Sequence, residues 1–589
     1  MGVGGGGLVS SEPWEIAALA SRQHPGNPPI PTIPTIPTIP TIPTISAIPQ
    51  TQTLIDRQTD RQTMGAAELL LSGLARRTEQ EGELMARIAV LGAGIGGLGV
   101  ALAAGRAGHE VLLIERDNTP LPATPAEAFD WDRQGAPQVR HSHAFLARLR
   151  NLLRDRYPDV LEALYQAGAT PMDFIAMLPE GMDRTPLPGD DDLVAIACRR
   201  TTFEWVLRRK INKEPSVQLL HGVGVTELLT SPARPSAATA ALATEGTTST
   251  AAPAGTSTAS TAGLQQVTGL RLEDGTELNA DVTVIAGGRR HDLIGLLSAR
   301  GIVINEAIED TGIVYFSRFF KLKESADFPA QTGPIGGDLG YLKFGVFPGD
   351  NRTFSITLAT AVEDKELRQR LTNPAEFIKI AAQIPATAVH VEPDRSEPIT
   401  GVNLMAGLLN RRRSFLDQDA EPVLLGLHAV GDAHTCTNPL YGRGCSLAMV
   451  QAELFAESLE AHGLDHRGRA LAFEAASRSE ILPWYLAAVA QDRLNSAKPP
   501  QTKGTISVPA DPGQVAREFL RDGLLPAMRS DPVVLRAFLR MFNLLEAPDS
   551  LMTNGDVVTR VLAVFNERED RPPEQAVGPD RESLLQAIS

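Results

Sequence analysis

The sequence predicts an α/β protein, and three observations carry that prediction. The run Ile88-Ala-Val-Leu-Gly-Ala-Gly-Ile-Gly-Gly-Leu98 is a short apolar strand, then Gly92-x-Gly94-x-x-Gly97, then an Ala/Gly-rich helix. A second apolar strand, Val111–Ile114, ends on the acid Glu115, with Arg116 beside it. Much later, Asp281–Gly288 and the stretch before Gly431-Asp432 again run apolar residues into glycine. Strand, glycine turn, helix and strand make a Rossmann-like βαβ unit.

Each element has a reason. Gly92 allows the tight turn off the strand, Gly94 lets a pyrophosphate approach the backbone, and Gly97 lets the helix lie close to the sheet. The helix N-terminus offers free N–H groups and a partial positive charge to phosphates. Glu115 stands 21 residues after Gly94, close to the ~20 expected of an acid on a ribose hydroxyl. Together these features predict an adenine dinucleotide. Val267–Thr276 alternates as a strand and turns at Asp274-Gly275. Asp432 places a carboxylate at the carboxyl edge of the sheet, where cofactors bind. Pro439, Gly442 and Gly444 shape a loop that delivers the N-terminus of a helix over Ser446–Glu460, able to stabilise charge developing on a ring.

The bulk numbers narrow the classes. The chain has 589 residues with 55 Lys and Arg against 70 Asp and Glu, a formal charge of −15. That balance argues against nucleic-acid binding. Cys198, Cys436 and Cys445 form neither a disulfide framework nor a metal-ligand spacing, so a reducing compartment, the cytoplasm, is expected and no metal is. No apolar run approaches the ~18 residues of a membrane span.

Residues 1–84 read as a disordered low-complexity tail. Ile30–Thr44 is five copies of Ile-Pro-Thr, and Asp56–Thr63 is Asp-Arg-Gln-Thr twice. Proline every third residue blocks helix and sheet ladders. Two unrelated perfect repeats suggest translated simple-sequence DNA, with the expected biological start at Met85, or else Met64. Residues 231–263, mostly Ala, Thr, Ser, Gly and Pro, read as a disordered insertion.

The three glycine-bearing elements, in this order, resemble the FAD-binding scaffold of aromatic hydroxylases, epoxidases and flavin-dependent halogenases. Gly135-Ala-Pro-Gln-Val-Arg-His-Ser-His143, Arg200-Thr-Thr-Phe-Glu-Trp205 and Asn438-Pro-Leu-Tyr-Gly-Arg-Gly444 resemble a bacterial group of FAD-dependent monooxygenases or epoxidases. Val314–Phe320 looks like that group's entry strand to the substrate sheet. The resemblance covers Met85 to the C-terminus. It implies a Rossmann-like FAD-binding domain from residues 85–300 and 421–465. It also implies a substrate domain over 301–420, with an antiparallel sheet at about Thr311–Ala361, and a helical region over 466–589. FAD contacts would come from Gly92, Gly94, Gly97, Glu115, Arg116, Arg140, Arg200, Asp432, Pro439, Gly442 and Gly444.

Two departures bear on the reaction. The third strand ends Ala286-Gly287-Gly288-Arg289, where aromatic hydroxylases usually carry Asp-Gly. NAD(P)H is therefore expected to reduce the flavin either directly or through a separate flavin reductase. The halogenase Trp-x-Trp-x-Ile-Pro segment is absent, and no Lys lies between Met85 and Arg209, which disfavours halogenation. The implied activity is an FAD monooxygenase, a hydroxylase or epoxidase, acting with O2 on a hydrophobic small molecule. The alternatives are a reductase or dehydrogenase of isoprenoid-type substrates and a flavin-binding protein without turnover.

No catalytic residue is assigned. His141, His143 and His434 are candidates for hydrogen bonds to the flavin or for proton donation; loop capping and packing are their alternative readings. Arg411-Arg412-Arg413 reads as a solvated turn or a contact for a phosphate-bearing substrate. Asp531-Pro532 starts a helix with Val534, Phe538, Met541 and Leu545 in one stripe, facing the core, a lipid-like substrate or a membrane surface.

Overall fold

The computed structural model describes residues 85–179, 181–233, 263–329, 336–496, 517–571 and 577–589. The expectations for the tail 1–84 and for most of the insertion 231–263 lie outside these residues. The insertion's flanks form a hairpin: Val225–Pro232 pairs antiparallel with Gln265–Leu272.

Along the chain come β1 (Arg87–Leu91), α1 (Ile95–Arg106), β2 (Glu110–Glu115), α2 (Arg200–Ile211), β3 (Val217–His221) and β4 (Val282–Ile285). Then follow β5 (Ile313–Leu322), β6 (Leu342–Pro348), β7 (Thr353–Ala361), β8 (Leu409–Ser414), β9 (Leu427–Ala429) and α3 (Gly444–His462). The central sheet has the order β9-β4-β1-β2-β3 and is parallel throughout, Ile88 lying against both Val111 and Val282. Every residue of β4 is buried, which is why its sequence is apolar but for Thr283. On one face α1 and α3 pack closely, because α1 is built of small residues. A Cβ on Gly99 would stand 2.8 Å from the Met449 sulfur. The other face carries the Val225–Pro232, Gln265–Leu272 and Glu277–Asn279 strands, whose Leu228, Val267 and Leu270 share a core with Ala89 and Ile285.

The second sheet is antiparallel. Its strands β6, β7 and β5 stand in that order, extended by short edge strands. Alternate residues of β5 point to opposite sides. Val314, Phe316 and Phe320 face an outer core closed by Leu367, Phe377 and Ile380, and by Leu584 and Ile588 of the terminal helix Arg581–Ile588. Tyr315 and Ser317 face the other way. The last helix thus joins the core of the antiparallel sheet.

The helix after His143 spans Ala147–Arg156, since Phe145 first makes a β-bridge to Ile196. Pro532–Phe542 starts as expected, with the Asp531 carboxylate accepting from Val533 N at 2.8 Å. Its stripe is core: Val534, Phe538 and Met541 pack on Val557 and Val561, and Leu545 packs near Ile175 and Leu178. Among the described residues no helix is long and apolar enough to cross a membrane.

Candidate functional site at the carboxyl edge of the parallel sheet

The glycine loop leaves β1 at Gly92, whose φ is +103°. A Cβ there would stand 2.6 Å from the Ala286 carbonyl oxygen, and one on Gly97 would stand 1.8 Å from the Gly92 oxygen. Both positions therefore need glycine for steric reasons. Gly94 differs: a Cβ there would meet nothing within 4 Å, so the space above it is open. The first turn of α1 holds no acid and has no side-chain cap, which leaves its N–H groups free for an anion.

Glu115 stands under this loop. Its carboxylate accepts from Ala93 N at 3.1 Å and from Asp117 N at 3.0 Å. Arg133 pairs with it at 3.2 Å and also with Asp117 and Glu204, at 2.7 and 3.1 Å. Arg133 is buried and lies over the Trp131 ring. Sequence reasoning missed this hub, because its partners are 16, 18 and 71 residues away.

The Gly431-Asp432 turn stands directly beside the glycine loop: a Cβ on Gly96 would lie 3.5 Å from Val430 and 3.9 Å from Gly431. Gly431 (φ +59°) donates its N–H to Gln451 at 2.8 Å. Two buried guanidiniums hold the turn by its backbone. Arg411 Nη2 donates to the Asp432 carbonyl and to the Arg289 carbonyl, each at 3.0 Å. Arg413 Nη1 donates to the Ala433 carbonyl at 2.9 Å while its Nε pairs with Glu306 at 2.6 Å. Residues 411–413 are therefore a strand, β8, with Arg411 and Arg413 inward and Arg412 between them half-buried, not a solvated turn. The apolar pairs on either side of the basic run were the available signal. Asp432's own carboxylate has no hydrogen-bond partner among the described residues. Its burial raises its pKa, opposed by the charges of Arg200, Arg289 and Arg411.

The loop that follows is rigid. Asn438 caps it, accepting from Leu440 N at 3.0 Å and donating to Asp492 at 2.8 Å. Gly442 has φ +68°. Gly444 opens α3 with no acid in the first turn and no capping side chain. Ser446 Oγ, one turn in, is buried without a partner among the described residues. Arg443 lies between the Tyr441 and Trp484 rings.

Arg200 completes the cluster. It pairs with Glu204 at 2.7 Å, and its Nη1 lies 3.3 Å from His143 Nε2 and 3.6 Å from Cys445 Sγ. His143 Nδ1 is 2.9 Å from the His141 carbonyl. A carbonyl only accepts, so Nδ1 carries the hydrogen and bare Nε2 accepts from Arg200. Burial, and then the charge of Arg200, push His143 down to about 3.

His141 faces the antiparallel sheet. Its ring lies edge-on to Tyr315 at 5.2 Å, and Nδ1 is 3.3 Å from Ser317 Oγ. Burial, then Arg289, hold it at about 4. Ser142 Oγ meets Ser355 and Thr357 at 2.7 Å. Three other candidates stand apart. Arg140 turns outward, 59% exposed at its side chain, and pairs with Asp132. Arg116 is exposed. His434 is buried against Phe415 and Phe473, with Thr435 and Glu474 on its nitrogens.

No family model and no curated protein matches the chain. Solved structures do. The Diels-Alderase of the pyrroindomycin biosynthetic pathway is 15% identical, with a TM-score of 0.50 over 78% of this chain and 80% of its own. The probable FAD-dependent monooxygenase PqsL of Pseudomonas aeruginosa is also 15% identical, with a TM-score of 0.45 over 70% and 95%. The anhydrotetracycline hydroxylase OxyS of Streptomyces rimosus is 15% identical, with a TM-score of 0.46 over 79% and 76%. At such identity the first likeness is one of fold.

Proposed function

We propose that the chain is an FAD-dependent monooxygenase, a hydroxylase or epoxidase of a hydrophobic small molecule. The observation that carries the reading is convergence. A glycine loop with open space at Gly94, a turn presenting the unpartnered Asp432 carboxylate, and the uncapped α3 start at Gly444 meet at one sheet edge. FAD fits this set: an anion-accepting loop, an acceptor for hydroxyls, and a helix N-terminus with the unpartnered Ser446 hydroxyl near it.

In this reading Gly92, Gly94 and Gly97 shape the pyrophosphate seat, and Glu115 braces that seat and faces the ribose. Asp432 takes the ribityl hydroxyls. Pro439, Gly442, Gly444 and Arg200 surround the ring. Arg116 and Arg140, which face water, are left out. Bound flavin supplies the hydride and oxygen chemistry, while the chain binds, orients and excludes water. His143, held neutral, offers no proton near pH 7; it orients Arg200.

The fold does not choose the reaction; its neighbour with a TM-score of 0.50 is a Diels-Alderase. The test is therefore direct. Purified protein should be yellow with one FAD, and O2 uptake should accompany NAD(P)H oxidation, alone or with an added flavin reductase. Product analysis with polyenes and phenols then separates hydroxylation from epoxidation. A colourless protein that takes up no FAD overturns the reading; FAD without O2 uptake leaves a reductase, a dehydrogenase or a binding protein. The three cysteines are free and buried, which suits the reducing cytoplasm.

A further inference from the structure

Three guanidiniums beside the site lack the carboxylate that their neighbours have: Arg411 is held by two carbonyls, Arg443 lies between two rings, and Arg289 has neither. Arg133 is paired with three carboxylates, Arg199 with Asp350, Arg200 with Glu204 and Arg413 with Glu306. Among the described residues Arg289 has none within 4.0 Å, and its one polar contact there is Nη1 to the Gly407 carbonyl at 3.5 Å, the long limit of a hydrogen bond. Yet it is half-buried, and a guanidinium drawn out of water calls for an oxygen partner, best a planar one with two acceptors.

The backbone explains where it stands. After β4 the chain turns through Gly287 and Gly288 (φ +73°), and Arg289 follows at the carboxyl edge. Its carbonyl is tied to the Asp432 turn through one nitrogen of Arg411. Its side chain runs the other way, to Gly407, two residues beyond Met405. The Met405 sulfur receives the Tyr315 hydroxyl from the antiparallel sheet. Arg289 therefore spans from the cofactor edge to the substrate sheet. The wall it reaches is apolar: Tyr315, Ala359 and Leu408 are buried together, with Ile313, Met405 and Leu440 against them. His141, edge-on to Tyr315, is neutral, and the charge of Arg289 is felt at His141, Tyr315 and Asp432 alike.

We propose that the substrate has an apolar body and one carboxylate, and that Arg289 receives that carboxylate while Tyr315, Met405, Leu408 and Leu440 hold the body. The inference rests on the flavin reading. It adds a charge requirement that apolar contacts alone do not have.

The test uses the FAD-loaded protein and two probes of one shape, hexanoate and its neutral isostere hexanamide, with binding followed by calorimetry. FAD content and melting temperature are measured first on each preparation. The wild type should bind hexanoate roughly tenfold or more tighter than hexanamide, the worth of a charge-assisted hydrogen bond. Arg289→Gln should lose that preference with FAD content and melting temperature unchanged, and Arg289→Lys should keep part of it. Equal affinities in the yellow wild type overturn the inference and leave the flavin reading standing. So does a preference that survives in Arg289→Gln. Loss of FAD from Arg289→Gln overturns it too, by making Arg289 a cofactor ligand. If Arg289→Gln does not fold, Arg289→Lys decides: full loss of preference with FAD retained refutes simple charge recognition. A colourless wild type removes both readings.

Discussion

Glu115 ends β2 and Asp432 follows β9, so two carboxylates stand at one edge of the same sheet in opposite circumstances. Glu115 is buried under the glycine loop and held by two backbone N–H groups and Arg133. Among the described residues Asp432 is held only through its carbonyl, and its carboxylate is left over. The difference separates frame from seat. A carboxylate whose acceptors are taken by the chain fixes the loop, and one whose backbone is clamped while its oxygens are spare is free for a ligand.

The largest effect should come from the seat's open space. Gly94→Val should lose FAD altogether while the fold survives, because a Cβ there meets no described atom within 4 Å and the side chain fills the anion position. Gly97→Val, whose Cβ would overlap the Gly92 oxygen, should instead fail to fold. FAD retained in the Gly94 variant would break the comparison at its root. On the frame side, Arg133→Met should cost about 3–5 kcal/mol, since three buried carboxylates lose their common cation; urea unfolding of the apoprotein reads this. An unchanged midpoint would mean that Glu115 is not part of a frame.

The seat's carboxylate should weigh less. Asp432→Ala should weaken FAD by roughly 1.5–3 kcal/mol, the range for a hydrogen bond to a charged group, with an unchanged melt and turnover restored by excess FAD. A destabilised variant that FAD does not rescue would move Asp432 from seat to frame. Arg411→Gln should weaken FAD by about 1 kcal/mol through the turn it holds, while Arg412→Gln, on the same strand without that bond, should not; equal effects of the two would dissolve the clamp.

The effect that is smallest at neutral pH belongs to His143 and shows only in acid. His143 falls from 6.5 to about 3 in the folded chain. Between these values the unfolded state binds the proton and the folded state does not, so stability is complete above 6.5 and declines as pH falls toward 3. Melting temperatures across that window should slope less in His143→Gln.

The local parts of the frame could be read before the structure. Gly92, Gly94, Gly97 and Glu115 work at fixed spacings within one βαβ unit, and Asp531-Pro532 is a cap and first turn written in adjacent residues. Charge partners could not be read. Arg133 meets Glu204, and Arg200 meets Cys445 245 residues away, and no periodicity announces such pairs. Arg140, His141 and His143 looked like one polar stretch. A single turn of 3-10 helix ending at Arg140 sends the first to water, the second to the antiparallel sheet and the third to Arg200.

The terminal helix Arg581–Ile588 carries a consequence for how the protein is made. Leu584 and Ile588 complete a core whose first strand, β5, ends at Leu322. At ~10 residues per second of synthesis, that strand leaves the ribosome roughly half a minute before the residues that complete its cover. Until then the core over Val314, Phe316 and Phe320 has Leu367, Phe377 and Ile380 but lacks Leu584 and Ile588. A ribosome that stops short of residue 581 would release a chain with the edge of its parallel sheet complete in sequence and its second core unfinished, a ready client for chaperones and proteases.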